Sequence, residues 1–179
     1  HDFVMETRDG RPIELGPVKQ SFQEAFRHVW NGDMEDDGFN RLVVGAGLEW
    51  REVVLLRAYA KYLRQARIGF SQASLEETLG AYPTITGLIV NLFEARFDPA
   101  QEDGRDKRVA TLQAAITEAM DSVANLDEDR ILRRFVNLVQ ATQRTNYYPP
   151  AADGGPKPYI SFKLASGEID ELPLPRPWV

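Results

Sequence analysis

Apolar residues recur at helical spacing through most of this chain. Val18, Phe22, Phe26 and Val29 fall four, four and three residues apart before Gly32, which predicts an amphipathic helix with Pro17 in its first turn. Phe39, Leu42 and Val43 form a short apolar stripe after an acidic loop. From about Glu49 to Ala66, Trp50, Val53, Val54, Leu56, Ala60 and Leu63 share one broad face. Arg51, Glu52, Arg57, Lys61 and Arg64 lie mostly opposite, and Gly69 supplies a stop. Ser74 and Glu77 make an S-x-x-E capping pattern for a short helix with Leu75 and Leu79 that Gly80 closes. Pro83 opens a helix bearing Ile85, Leu88, Ile89, Leu92 and Phe93, which ends before Pro99. Val109, Leu112, Ile116, Met120 and Val123 define the next helix, and Asp127 caps a last one carrying Ile131, Leu132, Phe135, Leu138 and Val139. The short connection between these two predicts an antiparallel helical hairpin.

The ends of the chain read differently. Phe3 and Met5, a turn at Arg8-Asp9-Gly10, then Ile13 and Leu15 predict a β-hairpin over residues 2–15. A lone hairpin is marginal in water, so it is expected to complete a sheet whose other strands lie upstream. Beyond Arg144, the Pro- and Gly-rich stretch 147–158 reads as a linker, and Tyr159 to Leu164 alternates as a strand. The chain starts abruptly and stops at Pro-Arg-Pro-Trp-Val without a polar tail, so both ends resemble cuts. The expected fold is mainly α, a bundle-like connector of about six helices with a hairpin and a final strand that belong to neighbouring domains. The expected divisions are 1–15, 16–148, 149–157 and 158–179.

Composition narrows the chemistry. Hydrophobic residues make up 43% and charged residues 27% of 179, the balance of a folding, soluble domain and not of a disordered one. The formal net charge of −6 argues against nucleic acid, since no basic face stands out to overcome it. The absence of cysteine excludes disulfides and thiolate metal sites and favours a reducing, cytoplasmic setting. His1 and His28 are not ligand-spaced, and zinc is not expected. No apolar run reaches the roughly 18 residues that span a bilayer, and HDFVMETRDG is no signal peptide, so no membrane partner is expected.

Four stretches invite a chemical reading. RLVVGAGLEW, residues 41–50, resembles a strand entering a dinucleotide-binding turn, but Trp50 stands where the third glycine would let helix and strand touch. Nor does an acidic residue end a second strand about 20 residues later, and the favoured reading is a break between two helices at Gly45 and Gly47 with Trp50 buried beyond it. Asp127, Glu128 and Asp129 invite Mg²⁺ or acid/base work, against the ordinary preference of acids for a helix start. Arg130, Arg133 and Arg134 could grip an anion, against a solvated face with helical ion pairs. Arg144, Asn146, Tyr147 and Tyr148 beside the linker form a candidate interdomain contact or ligand surface, against capping and packing of a helix end. His28 is read as structural, and no serine has a visible base.

Taken together, HDFVMET, DGFNRLVVGAGLEWREVVLLRAYAKYLRQ, FSQASLEETL, LFEARFDP, LDEDRILRRFVNLVQATQRTNYY and KPYISFKL resemble the large bacterial NAD-dependent glutamate dehydrogenase family. The match runs in order over nearly the whole chain and is poorest around residues 100–108. The resemblance implies a central piece between an ACT-like regulatory region and the catalytic domain of a long, homo-oligomeric polypeptide. That polypeptide would convert L-glutamate to 2-oxoglutarate and ammonium with NAD as cofactor. It also implies that the catalytic lysine and the dinucleotide site lie downstream, so no catalytic, cofactor-binding or metal residue is assigned here, and the partner is the rest of the same chain. A free-standing helical protein-interaction module is the alternative from another class, and an NAD-binding domain built on Gly45 and Gly47 is a third.

Overall fold

A computed structural model describes residues 15–174 of the chain. Among them seven α-helices and a two-stranded antiparallel sheet appear in the order α1 Leu15–Asn31, α2 Leu42–Gly45, α3 Trp50–Gln65, α4 Gln72–Ala81, α5 Pro83–Phe97, α6 Arg105–Met120, α7 Leu126–Ala141, β1 Thr142–Thr145 and β2 Phe162–Leu164. The mainly α expectation holds. The predicted hairpin over 2–15 lies outside the described residues except for Leu15, which opens α1.

The core is built where the sequence periodicity placed it. Leu42, Val53, Leu56, Leu63, Leu75, Leu79, Ile89, Leu92, Phe93, Leu132, Phe135, Leu138 and Val139 are all fully buried. Removing such side chains from water is the main stabilising force here, at about 1.5–3 kcal/mol for each large one. Helices α3, α4, α5 and α7 surround this core, and α1 lies against α2 and α3.

Several helix ends differ from the expectation, each for a local reason. Helix α4 is capped by Ser71, whose hydroxyl accepts the Ser74 amide at 3.1 Å, so Ser74 is the third helical residue and not the cap. Gly80 does not close α4 but sits inside it, one residue before its end, and its missing side chain leaves room for Arg41, whose Cδ an added Cβ would meet at 2.8 Å. Helix α3 ends well before Gly69: Arg67 takes a left-handed conformation (φ 57°) and the Ile68 amide reaches back to the Leu63 carbonyl at 3.0 Å. Helix α7 is capped by Asn125, which accepts the amides of Asp127 and Glu128, and not by Asp127. An unforeseen capping box joins Glu49 and Glu52 at the start of α3, where the Glu52 carboxylate accepts the Glu49 amide at 2.6 Å.

The expected α6–α7 hairpin does not form as the main packing pair. Helix α6 folds along α5, and α7 lies against α3, α4 and α5. Arg105, at the start of α6, donates to the carbonyls of Arg96 and Asp98 at the end of α5, which fixes that turn. Helix α6 buries only Ile116 and Met120, too narrow an apolar stripe to hold a second helix as well.

Arg57 departs most from its predicted place. It is 4% exposed, and its guanidinium grips Asp37 through Nε at 2.6 Å and Nη2 at 2.8 Å. The same Nη2 reaches Asn40 Oδ1 at 2.8 Å. Lys61 pairs with Glu35 beside it. The acidic loop over 33–37 is therefore wound around a buried cation. The signal was present in the sequence, since Arg57 is four residues after Val53 and three before Ala60, on the apolar stripe.

Candidate functional site

Polar and aromatic contacts gather where α7 runs into β1 and the chain turns towards β2. Helix α7 ends at Ala141, earlier than the sequence suggested, and Thr142–Thr145 becomes a strand paired with Phe162–Leu164. Thr142 decides this end. Its buried hydroxyl donates to the Leu138 carbonyl at 2.7 Å and accepts from the Tyr59 hydroxyl at 2.8 Å, so both groups are satisfied out of water. Arg96 from α5 donates to the carbonyls of Gln140 and Thr142 at 2.8 and 3.1 Å, supplying a cation at the end of α7. Burial lowers the Arg96 pKa from its ordinary value.

Strand β2 is bound to the helical body and not merely tethered to it. Phe162 stacks on Tyr59 with ring centres 4.5 Å apart, and Leu164, Ile169 and Leu172 enter the core. Asn137 on α7 receives the Asp170 amide at 3.0 Å and donates to the Glu168 carbonyl at 2.9 Å. Arg134, expected on a solvated face, is buried and pairs with Asp170 at 3.3 Å and Glu171 at 2.5 Å.

The four residues singled out beside the linker divide. Arg144 is exposed on β1 opposite Lys163. Asn146 is a side-chain bracket: its Oδ1 accepts the Ser161 amide at 2.7 Å and its Nδ2 donates to the Tyr159 carbonyl at 3.1 Å. Tyr147 is buried, its ring edge-on to Phe93 at 5.2 Å, with the Arg51 guanidinium 4.6 Å above it. Arg51 also donates to the Tyr147 carbonyl at 2.8 Å. Tyr148 is half-buried against Tyr147 and Phe93, and its hydroxyl is buried without a hydrogen-bond partner.

Glu52 of α3 and Glu94 of α5 act electrostatically on the two tyrosine phenols, and Glu94 acts on Glu52. Burial raises the Glu52 pKa to about 7, with the neighbouring Glu94 and Glu49 adding to the effect and the Glu49 amide opposing it. Burial also raises Glu94. Both tyrosine phenols are pushed up, again chiefly by burial.

The other candidates resolve into local structure. Leu42–Gly45 is a helical turn, so no strand precedes the glycines. Gly47 (φ 67°) lies in the break before α3, a conformation that suits glycine. Trp50 opens α3 half-buried, with His28 stacked on it at 3.7 Å. Asp127 and Asp129 pair along α7 with Arg130 and Arg133, and Glu128 accepts the Tyr82 hydroxyl at 2.7 Å. Among the described residues, no group of three or more histidines or carboxylates is placed to hold a metal ion, and no helix is long and apolar enough to cross a membrane.

Comparison with known proteins adds a frame to this geometry. Residues 34–99 match the family described as glutamate dehydrogenase, helical motif 3, and residues 115–179 match the one described as bacterial NAD-glutamate dehydrogenase, catalytic domain. The chain is 43% identical over 177 residues to an NAD-specific glutamate dehydrogenase of Halomonas elongata, covering 99% of this chain and 11% of that protein. It is 45% identical over 181 residues to the protein of the same name from Pseudomonas aeruginosa, again covering 99% and 11%. For the one from Mycobacterium tuberculosis the identity is 48% over 166 residues, covering 92% and 10%. The chain thus spans about a tenth of the length of these curated relatives.

Proposed function

This chain belongs to the bacterial NAD-dependent glutamate dehydrogenase family, and from that membership we propose that it is the joint between a helical motif and the catalytic domain of such an enzyme. The whole protein would oxidise L-glutamate with NAD and water to 2-oxoglutarate, ammonium and NADH. This stretch would contribute neither a catalytic residue nor the NAD site. Its partners on this reading are the rest of the same polypeptide, upstream and downstream.

One observation carries the proposal. Several contacts around β1 and β2 cross between the two family-matched spans: Tyr59 to Thr142 and Phe162, Phe93 and Arg51 to Tyr147, and Arg96 to Gln140 and Thr142. A flexible tether would need none of them. Shared burial makes the orientation of one span depend on the other, which is what a joint between working parts requires.

Enzymology on the purified chain tests this directly. With glutamate and NAD it is expected to form no NADH, and calorimetric titration with NAD is expected to show no saturable binding. Micromolar NAD binding abolished by Gly47→Val would instead make the Gly45–Gly47 turn a cofactor site and overturn the reading. Glutamate-dependent NADH formation by the chain alone would overturn it as well.

A further inference from the structure

We propose that the aromatic row Phe22, Phe26 and Trp30 on α1 is a docking surface for the part of the same polypeptide that precedes α1 in the whole enzyme, and that its occupant is an apolar groove rimmed by carboxylates. The inference rests on the joint reading, which supplies a whole enzyme for this chain to sit in, and adds the face on which the joint meets the upstream part.

The row follows from helical spacing. Residues four apart on an α-helix stand about 40° further round its axis. Ala25 is buried and Val29 packs on the core, so this drift carries the three rings out of the buried face one after another. Phe22 is half-buried, Phe26 is 58% exposed and Trp30 is 80% exposed. The rings stack in sequence, Phe22 to Phe26 at 6.5 Å between centres and Phe26 to Trp30 at 6.2 Å. A single exposed aromatic is ordinary, whereas a stacked row ending in an open tryptophan has the make-up of an interface centre. Lys19 and Arg27 stand exposed on the same helix, and neither has an ion pair among the described residues. The surface that complements this face is apolar in its middle and acidic at its rim.

Area and position choose the occupant. Large aromatics bury about 150–250 Å² each, so the open parts of Phe26 and Trp30 present about 300 Å². Two copies meeting on this row would bury about 600 Å² together, roughly half of what a stable complex needs. A surface joined to the row by the chain itself needs no such area, because the linkage holds it at about millimolar effective concentration. This chain covers 11% of two curated relatives, so most of such a polypeptide lies outside it. Helix α1 stands ahead of both family-matched spans and meets the first turn of α3, where His28 stacks on Trp50 at 3.7 Å. On the catalytic-domain side, Leu172 and Pro173 share a surface cavity with Tyr62 and Arg67 at the other end of α3, about 20 Å away. The upstream part is therefore the one within reach of the row.

Hydroxyl-radical footprinting read by mass spectrometry compares the purified chain with the full-length enzyme. Phe26 and Trp30 are expected to be oxidised about tenfold more slowly in the full-length enzyme, as at the buried centre of an interface. Zero-length coupling of amines to carboxylates, in enzyme assembled from light and heavy isotope-labelled subunits, is expected to join Lys19 to an upstream Asp or Glu of the same subunit. Phe26→Ser combined with Trp30→Ser is expected to leave the urea midpoint of the purified chain unchanged, while amide exchange of α1 in the full-length enzyme rises to its rate in the purified chain. Equal oxidation of Trp30 in the two proteins would overturn the docking surface. So would coupling of Lys19 to the catalytic domain or to another subunit, or α1 exchange unmoved by the double substitution. None of these results touches the joint reading, which stands or falls on catalysis and NAD binding by the purified chain.

Discussion

Replacing Arg57 by alanine is expected to cost about 3–5 kcal/mol of unfolding free energy. The guanidinium holds Asp37 through two nitrogens and Asn40 through one of them, and the Asp37 side chain is only 11% exposed. Without the cation, a desolvated carboxylate is left facing the core side of α3. Asp37 also caps the 3-10 turn 38–41 by accepting the Phe39 amide at 3.1 Å, so the loop that positions Phe39 and Leu42 would lose its anchor. Arg57→Lys is expected to recover only part of the loss, because an ammonium cannot reproduce the two-pronged grip. Arg57→Met with Asp37→Asn is expected to be more stable than Arg57→Ala, since it removes the unpaired charge and keeps both the cap and the buried volume. Urea unfolding followed by circular dichroism measures all three, and a loss under about 1 kcal/mol for Arg57→Ala would show that the pair is incidental.

The second large effect belongs to Phe93, which is fully buried at the meeting point of the two family-matched spans. Its ring lies 6.3 Å from Tyr59, 5.0 Å from Phe97, 5.2 Å from Tyr147 and 6.3 Å from Tyr148. Phe93→Ala leaves a cavity among four aromatic rings that cannot collapse together, and the expected cost is about 3–5 kcal/mol. The loss should also be directional. Tyr147 forfeits its edge-on partner, so protection of the Asn146 and Ser161 amides is expected to fall further than that of α4. Urea unfolding together with hydrogen exchange measures both, and a stability loss spread evenly over the helices would argue that Phe93 is ordinary core and not the centre of a joint.

Helical spacing made most of this fold legible, because a buried stripe repeats itself and each repetition confirms the last. Val53, Leu56, Ala60 and Leu63 on α3, and Ile131, Leu132, Phe135, Leu138 and Val139 on α7, are buried as their spacing required. The break at Gly45–Gly47 was legible for another reason: the bulk of Trp50 is incompatible with a dinucleotide turn, and that argument needs no tertiary structure. What could not be read were pairings between residues far apart in sequence. Thr142 looks like the last turn of a helix until Tyr59, 83 positions earlier, gives its hydroxyl a donor. Arg57 and Arg134 look like solvated cations until their partners arrive from elsewhere in the chain.

The site shows the same division. Arg144, Asn146, Tyr147 and Tyr148 stood out by composition, and three of them do engage other parts of the chain, while Arg144 faces solvent on β1. Their partners Arg51, Phe93 and Ser161 carried no mark in the sequence, since each is unremarkable in its own element.

Native-state hydrogen exchange of the purified chain decides whether residues 159–172 are part of the helical body or an appendage to it. Phe162–Leu164 amides bonded to β1 are expected to open only together with α7 and α3, with the same free energy and the same denaturant dependence, because Phe162, Leu164 and Ile169 share the core with Tyr59 and Phe135. Exchange of those amides at close to unprotected rates, while α3, α5 and α7 stay protected, would mean that the two family-matched spans are merely tethered and that no joint exists.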